Sequence, residues 1–291
     1  MAVSTRDIRR RIKSVKNIAQ ITKAMELVSA AKMRKAQSQA TSSRPYAVLS
    51  SNLLKNLAGK TNLPKHPLIQ RVLPEGEKMP VQKILAIIIT SDKGLAGALN
   101  SNVISKALRI IKEEGKEKFD VITVGRKGLD AARRMKLNIA ATFEAKDKNV
   151  SVLDAKPIAQ IATTDYLAFK YEKVFIVYTD FISTLVQKAN ILQILPFAQA
   201  LDANEKDDYL FEPDADEVLE NLVYRTIEFA IYQCLVEAVA SEHSARMVAM
   251  RNANDAASDL IEDLTLSANQ ARQAGITKEL SEISAAKIAM E

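Results

Sequence analysis

From Asp214 to Ala274 the chain contains neither proline nor glycine. No residue in that stretch carries the backbone penalty that breaks a helix. Asp214 followed by Glu217 has the spacing of a reciprocal N-terminal cap. Leu219, Val223, Ile227, Ile231, Ala238, Ala245 and Val248 then recur at steps of three, four and seven residues. A pattern sustained well beyond 25 residues belongs to a coiled coil. Run on to residue 288, such a helix is about 110 Å long at 1.5 Å per residue. A solitary helix is marginal in water, so the fold must supply a partner of similar reach.

The beginning of the chain supplies one. Residues 4–58 read as a second long helix, with Ser4 and Asp7 placed as a capping pair. Ile8, Ile12, Val15, Ala19 and Thr22 alternate at four and three residues, and Ile18, Ile21, Met25 and Val28 form a second stripe beside them. Ala30, Ala31, Ala36 and Ala40 then thin the face, so that a neighbouring helix can approach closely. Pro45 removes a backbone donor and is expected to kink or interrupt the helix, which ends at Gly59. This helix is about 80 Å long. If both helices attach to one compact block, they pair antiparallel, and the second overshoots the first by roughly 30 Å. The overshooting tip, "ISAAKIAM", with Ile283, Ala286, Ile288 and Met290, is apolar nearly all round and asks for a sleeve the chain does not contain. Charge agrees with the pairing. Residues 1–40 hold ten Lys/Arg against two Asp/Glu, a balance of +8, and residues 205–291 hold seven against eighteen, a balance of −11. Only 5% of residues are aromatic and none is Trp, an aliphatic composition suited to long helices.

The middle of the chain reads differently. Residues 60–80 hold four of the eight prolines and read as an irregular connection. Short β-branched runs at 84–90, 119–124, 138–143 and 173–179 read as buried strands, with helical patterns at 98–114, 126–136 and 152–168 between them. That alternation predicts a doubly wound, parallel-type sheet with crossover helices, and "STLVQKANILQILPF" adds a strand at an edge. The fold class is therefore α/β plus a long antiparallel coiled coil. Its parts are a first shaft helix at 1–59, a connection at 60–80, a side domain at 81–200, a loop at 201–211 and a second shaft helix at 212–291.

A glycine loop between a strand and a helix, "SDKGLAGALN" at 91–100, raises the question of a nucleotide site. A P-loop needs G-x-x-x-x-G-K-[ST]. Here Gly94 and Gly97 are three apart, and Lys93 precedes them. The dinucleotide fingerprint lacks its third glycine, and Arg126 and Lys127 stand where a ribose-binding acid is needed. A tight turn is the plainer reading. Cys234, the sole cysteine, lies on an apolar helix and reads as a buried inert thiol. His66 and His243 have no second ligand at metal spacing, so no metal, cofactor or catalytic residue is expected. No apolar run reaches the 18 residues of a membrane span. The basic, amphipathic N-terminus lacks a secretory h-region, although a transit peptide shares its composition.

Three blocks carry a resemblance: "IRRRIKSVKNIAQITKAMELVSAAKMRKAQ", "TSDKGLAGALN" and "SEHSARMVAMRNANDAASDLIEDLTLSANQARQAGITKELSEI". In this order, over essentially the whole chain, the sequence resembles the gamma-subunit family of F-type ATP synthases. The resemblance implies a central rotor shaft of a proton- or sodium-driven synthase, which couples rotation of the membrane c-ring to conformational change in catalytic beta subunits. It implies no catalysis by this chain, and as partners the alpha, beta and epsilon subunits and the c-ring, with one copy per complex. It implies a peripheral place on the cytoplasmic face of the bacterial inner membrane. Met25 matches the position near the moving lever of beta. Arg272, Gln273, Thr277 and Glu279 match polar contacts with beta, and Tyr209, Phe211 and Glu212 match the foot on the c-ring and epsilon. Each has an ordinary alternative, as core packing for Met25 and a solvated helix face for Arg272 and Glu279. Gly275, beside the contact cluster, loosens the helix by about 1 kcal/mol relative to Ala. The redox cysteine pair of the plastid relatives is absent.

Two rival readings remain at this stage. An enzyme on the side domain lacks phosphate spacing, a dyad or a metal cluster. A nucleic-acid or membrane-surface adaptor would use Arg9, Arg10, Arg11, Lys13 and Lys16, which have no interleaved aromatics and face competition from the acidic helix.

Overall fold

A computed structural model describes residues 5–58, 66–69, 83–197, 212 and 215–290. Two long helices, α1 (Thr5–Ala58) and α5 (Ala215–Met290), bracket an α/β region. Between them come β1 (Ile84–Ile89), α2 (Leu99–Glu114), β2 (Phe119–Val124), α3 (Arg126–Arg134), β3 (Asn138–Phe143), α4 (Val152–Leu167), β4 (Lys173–Phe181) and β5 (Gln187–Leu195). Every predicted strand and crossover helix is present. The cap residues Ser4 and Asp214 lie outside the described residues.

The five strands are ordered β3-β2-β1-β4-β5. β1 pairs in parallel with β2 and β4, and β2 with β3. The edge strand β5 is antiparallel to β4, so the sheet is mixed. A connection of five residues, 182–186, is too short for a crossover and joins only antiparallel neighbours. β1 and β2 are buried along their whole length, because helices cover both faces. On one face α2 and α3 bury Val103, Ala107, Ile111 and Ala132 against Ile84, Ala86, Ile88 and Val121. On the other, Leu85, Ile87, Ile122 and Ile176 meet α4 through Ile158 and Ala159, and α5 through Val223, Ile227 and Ile231. Leu68 and Ile69, in the stretch read as a connection, are buried in that second core, and the Phe197 amide donates to the Leu68 carbonyl at 2.8 Å.

Pro45 does not interrupt α1, which continues to Ala58. A proline removes one helical hydrogen bond, and contacts on either side of it hold the helix in place. Ser43 Oγ donates to Gln233 Oε1 at 2.6 Å, Arg44 lies 4.0 Å from Glu237, and the Tyr46 ring is 4.4 Å from that of Phe229. Together with Gln39 Nε2, which donates to the Tyr232 hydroxyl at 2.9 Å, these pairs tie α1 to α5 on both sides of the proline.

The chain divides into two compact units, one of Ala30–Ala245 and one of Met1–Ser29 with Arg246–Glu291. In the larger unit, α5 is buried nearly all round from Ile231 to Ser244, as a helix between a sheet and a second helix must be. On α1, Met33, Ala36 and Ala40 are buried, whereas Ala31 faces outward. In the smaller unit, Ile8 and Thr22 of α1 are buried, with Ile12, Val15 and Ala19 half-buried between them. Ala257 of α5 is buried, and Ile261, Leu264, Ala268 and Ala271 are half-buried. Both sets step by four and three, the spacing of an interhelical seam, and among the described residues each seam has the other helix as its only cover.

Candidate partner interface

The glycine loop is built to satisfy itself. The Ser91 amide donates to Asn100 Oδ1 at 3.0 Å, and Asn100 Nδ2 donates back to Ser91 Oγ at 2.8 Å. Ser91 Oγ in turn donates to the Lys93 carbonyl at 2.7 Å. Asp92 Oδ1 accepts the Arg126 amide at 2.9 Å. Gly97 has φ +58, a left-handed turn that glycine makes without strain. The tightest approach is at Gly125, where a Cβ would stand 2.1 Å from the Thr90 carbonyl oxygen. The glycines thus serve turns and backbone contact.

Beside this loop, at the carboxyl ends of β1 and β4, lies the switch point of the sheet, where open α/β folds place ligands. A cavity of about 190 Å³ sits there. Its walls are Ile89, Val124, Phe143, Ile158, Leu235 and Val239. The charged groups on its lining are Glu144, Asp154, Glu242 and one lysine, Lys146, and that lysine is paired with Asp154 at 2.7 Å. An apolar, acid-rich cavity repels a phosphate. Cys234 is buried and its thiol is pushed well above the usual range by burial, then by the neighbouring Glu237, in keeping with an inert core thiol.

The outward surfaces are more informative. Met25 is half-buried, but its companions Ile18, Ile21 and Val28 are 51%, 60% and 54% exposed. The second apolar stripe of α1 therefore has no cover among the described residues. Neighbouring Leu27, absent from the stripes read in the sequence, is also exposed; its flanking position outside both heptad stripes hid it.

On α5 every described side chain from Arg272 to Ala285 is exposed. Thr277 Oγ1 donates to the Gln273 carbonyl at 3.0 Å, and Lys278 pairs with Glu282 at 3.7 Å. Among the described residues no ion pair engages Arg272 or Glu279. The structure thus brings Arg272, Gln273, Thr277 and Glu279 together on one exposed segment, with apolar Ile276 and Leu280 between and after them. Farther on, Ile283 and Met290 are 67% and 89% exposed. Ala286 and Ile288 lie within α5, but their side chains fall outside the described residues. Of the foot residues, Glu212 is exposed, and Tyr209 and Phe211 lie outside the described residues. Met25 belongs to a separate stretch, on α1. A polar cluster around Asp147, joining Lys32, Lys93 and His243, was not legible in advance, because four distant segments contribute to it.

No described helix is long and apolar enough to cross a membrane. A family model described as ATP synthase matches residues 4–290. The ATP synthase gamma chain of Pelotomaculum thermopropionicum is 46% identical over 290 residues, covering 99% of both chains. That of Roseiflexus sp. is 42% identical over 290 residues, covering 99% of this chain and 98% of its own. Among solved structures, a chain of the Euglena gracilis mitochondrial ATP synthase, in an OSCP/F1/c-ring assembly, is similar with a TM-score of 0.69 and 21% identity, covering 98% of this chain and 94% of that one. A chain of the Tetrahymena thermophila mitochondrial ATP synthase central stalk and c-ring is similar with a TM-score of 0.61 and 24% identity, covering 80% of this chain and 99% of that one. At such identities the structural likeness speaks for the fold.

Proposed function

This chain belongs to the ATP synthase gamma-chain family, and from that premise we propose which of its surfaces carry rotary coupling. A gamma chain is the non-catalytic central-stalk subunit of a rotary ATP synthase, whose beta subunits perform the catalysis. The observation that carries the reading is the bare end of α5. Past Ala271 the seam with α1 is finished, yet the helix runs on with apolar Ile276, Leu280 and Ile283 in solvent. Exposed apolar surface of this kind marks an interaction site.

We assign Arg272, Gln273, Thr277 and Glu279 to contacts with beta, Met25 and its uncovered stripe to the beta lever, and the tip at Ile283, Ala286, Ile288 and Met290 to an apolar bearing. Tyr209, Phe211 and Glu212 form the foot on the c-ring and epsilon. Functionally, 1–59 and 212–291 are shaft helices and 81–200 a side domain, linked by 60–80 and 201–211. One copy serves each complex of alpha, beta, epsilon and c subunits, on the cytoplasmic face of the bacterial inner membrane, and the coupling ion is a proton or sodium. A single asymmetric helix pair within a three-fold ring presents a different face to each beta subunit. Each beta then favours a different nucleotide state, and by reciprocity nucleotide turnover turns the pair.

The test is co-purification. A tagged chain should bring down alpha and beta subunits with ATPase activity, whereas the chain alone should have none. Retrieval of nucleic acid instead, released by salt, would favour the adaptor reading.

A further inference from the structure

Asp147 sits in the loop between β3 and α4, and three other elements converge on it. Lys32 of α1 donates to its Oδ2. His243 of α5, only 1% exposed, brings Nε2 to 2.8 Å from its carbonyl oxygen and 3.4 Å from Oδ1. A carbonyl only accepts, so Nε2 carries a proton. Lys93, in the loop after β1, lies 4.0 Å from Oδ2. Burial alone would raise the Asp147 carboxyl. The Lys32 hydrogen bond and charge, followed by His243 and Lys93, outweigh it and hold the carboxyl below its usual range. The same loop is gripped again farther along α1, where Gln39 Nε2 donates to the Val150 carbonyl and also to the Tyr232 hydroxyl of α5.

Most of the contact between the sheet and α5 is apolar. Dispersion and burial are non-directional and resist sliding poorly. Directional, charge-assisted bonds fix a register. One acidic residue that bonds α1 by its carboxylate and α5 by its backbone is placed to lock three elements against relative twist.

We propose that Asp147 is a positioning residue for rotary coupling, keying the β3–α4 loop to both long helices so that the sheet and the helices turn as one. This rests on the gamma-chain reading above. Without the key, hydrolysis in the head still drives the helices, but less of the rotation reaches the side domain and the membrane ring.

The experiment uses the complete synthase, assembled with variant chains in liposomes, and measures ATP hydrolysis and ATP-driven ion pumping on one preparation. Asp147→Ala should lower the ions pumped per ATP by roughly twofold or more, with hydrolysis retained, and Lys32→Met should do the same. The exchange Lys32→Asp with Asp147→Lys should restore most of the ratio. A wild-type ratio in Asp147→Ala overturns the proposal, as does an assembled exchange variant no better than the single one. If Asp147→Ala fails to assemble, Asp147→Asn keeps the shape and the backbone contact with His243 and carries the same comparison. Failure of the wild-type chain to assemble with alpha and beta would instead sink the gamma-chain reading.

Discussion

Arg272 and Glu279 stand seven residues apart, which places them on one face of α5 some 10 Å from each other. At that separation they do not pair, and both are exposed, so an outside partner is free to take them. A charge-assisted hydrogen bond to such a partner contributes about 1.5–3 kcal/mol. If the bond forms only at certain rotor angles, Arg272→Ala or Glu279→Ala should slow ATP synthesis and hydrolysis about tenfold in the assembled enzyme. Helical content should be unchanged. Wild-type turnover in both variants would leave these residues as a solvated face. Glu237 offers a different test, of stability. It is buried and accepts Gln233 Nε2 at 2.7 Å. Burial raises its carboxyl above the usual range and the neighbouring Asp180 adds to this, while Gln233 and Arg44 pull the other way. A raised folded pKa means that the neutral carboxyl's contribution is whole below the unfolded value, about 4.3. It is lost as pH climbs from there through the folded value. Glu237→Gln, neutral at every pH, should therefore gain in melting temperature relative to wild type between pH 4 and 8. Parallel melting curves across that range would refute it.

Among the elements, α1 shows how far a pattern in the sequence reaches. The steps at Ile8, Ile12, Val15, Ala19 and Thr22 were legible because a seam between two helices repeats every three and four residues whatever its surroundings. The strands were legible because a sheet covered on both faces needs continuous apolar runs. Leu68 and Ile69 were not legible, since two apolar residues among prolines have no period, and only tertiary packing buries them. The continuity of α1 through Pro45 was hidden for a similar reason, because its support comes from Gln233, Glu237 and Phe229, nearly two hundred residues on. The contact role proposed for 272–279 rests on resemblance alone, as nothing in their own pattern separates a docking face from a wet one. The tip is a prediction at this scale. Deleting residues 284–291 removes an apolar end with exposed neighbours and should weaken assembly with the catalytic ring more than it slows complexes that do assemble. Intact assembly with abolished turnover would contradict a bearing.

For the whole molecule, the seam of the smaller unit joins the first 29 residues to the last 46. On a ribosome this arrangement has a cost in time. Ile8 and Thr22 emerge more than two hundred residues before Ala257 and Leu264, which are to share their seam. At roughly 5–20 residues per second, that is an interval on the order of 10–50 s. During it the first helix has no partner, carries two apolar stripes, and is marginal by itself. The sheet domain, whose strands lie close together in the chain, has time to form first. The N-terminal segment is then the last part of the chain to find its place, although it is the first to be made, and a holding chaperone or an early assembly partner has its natural client there.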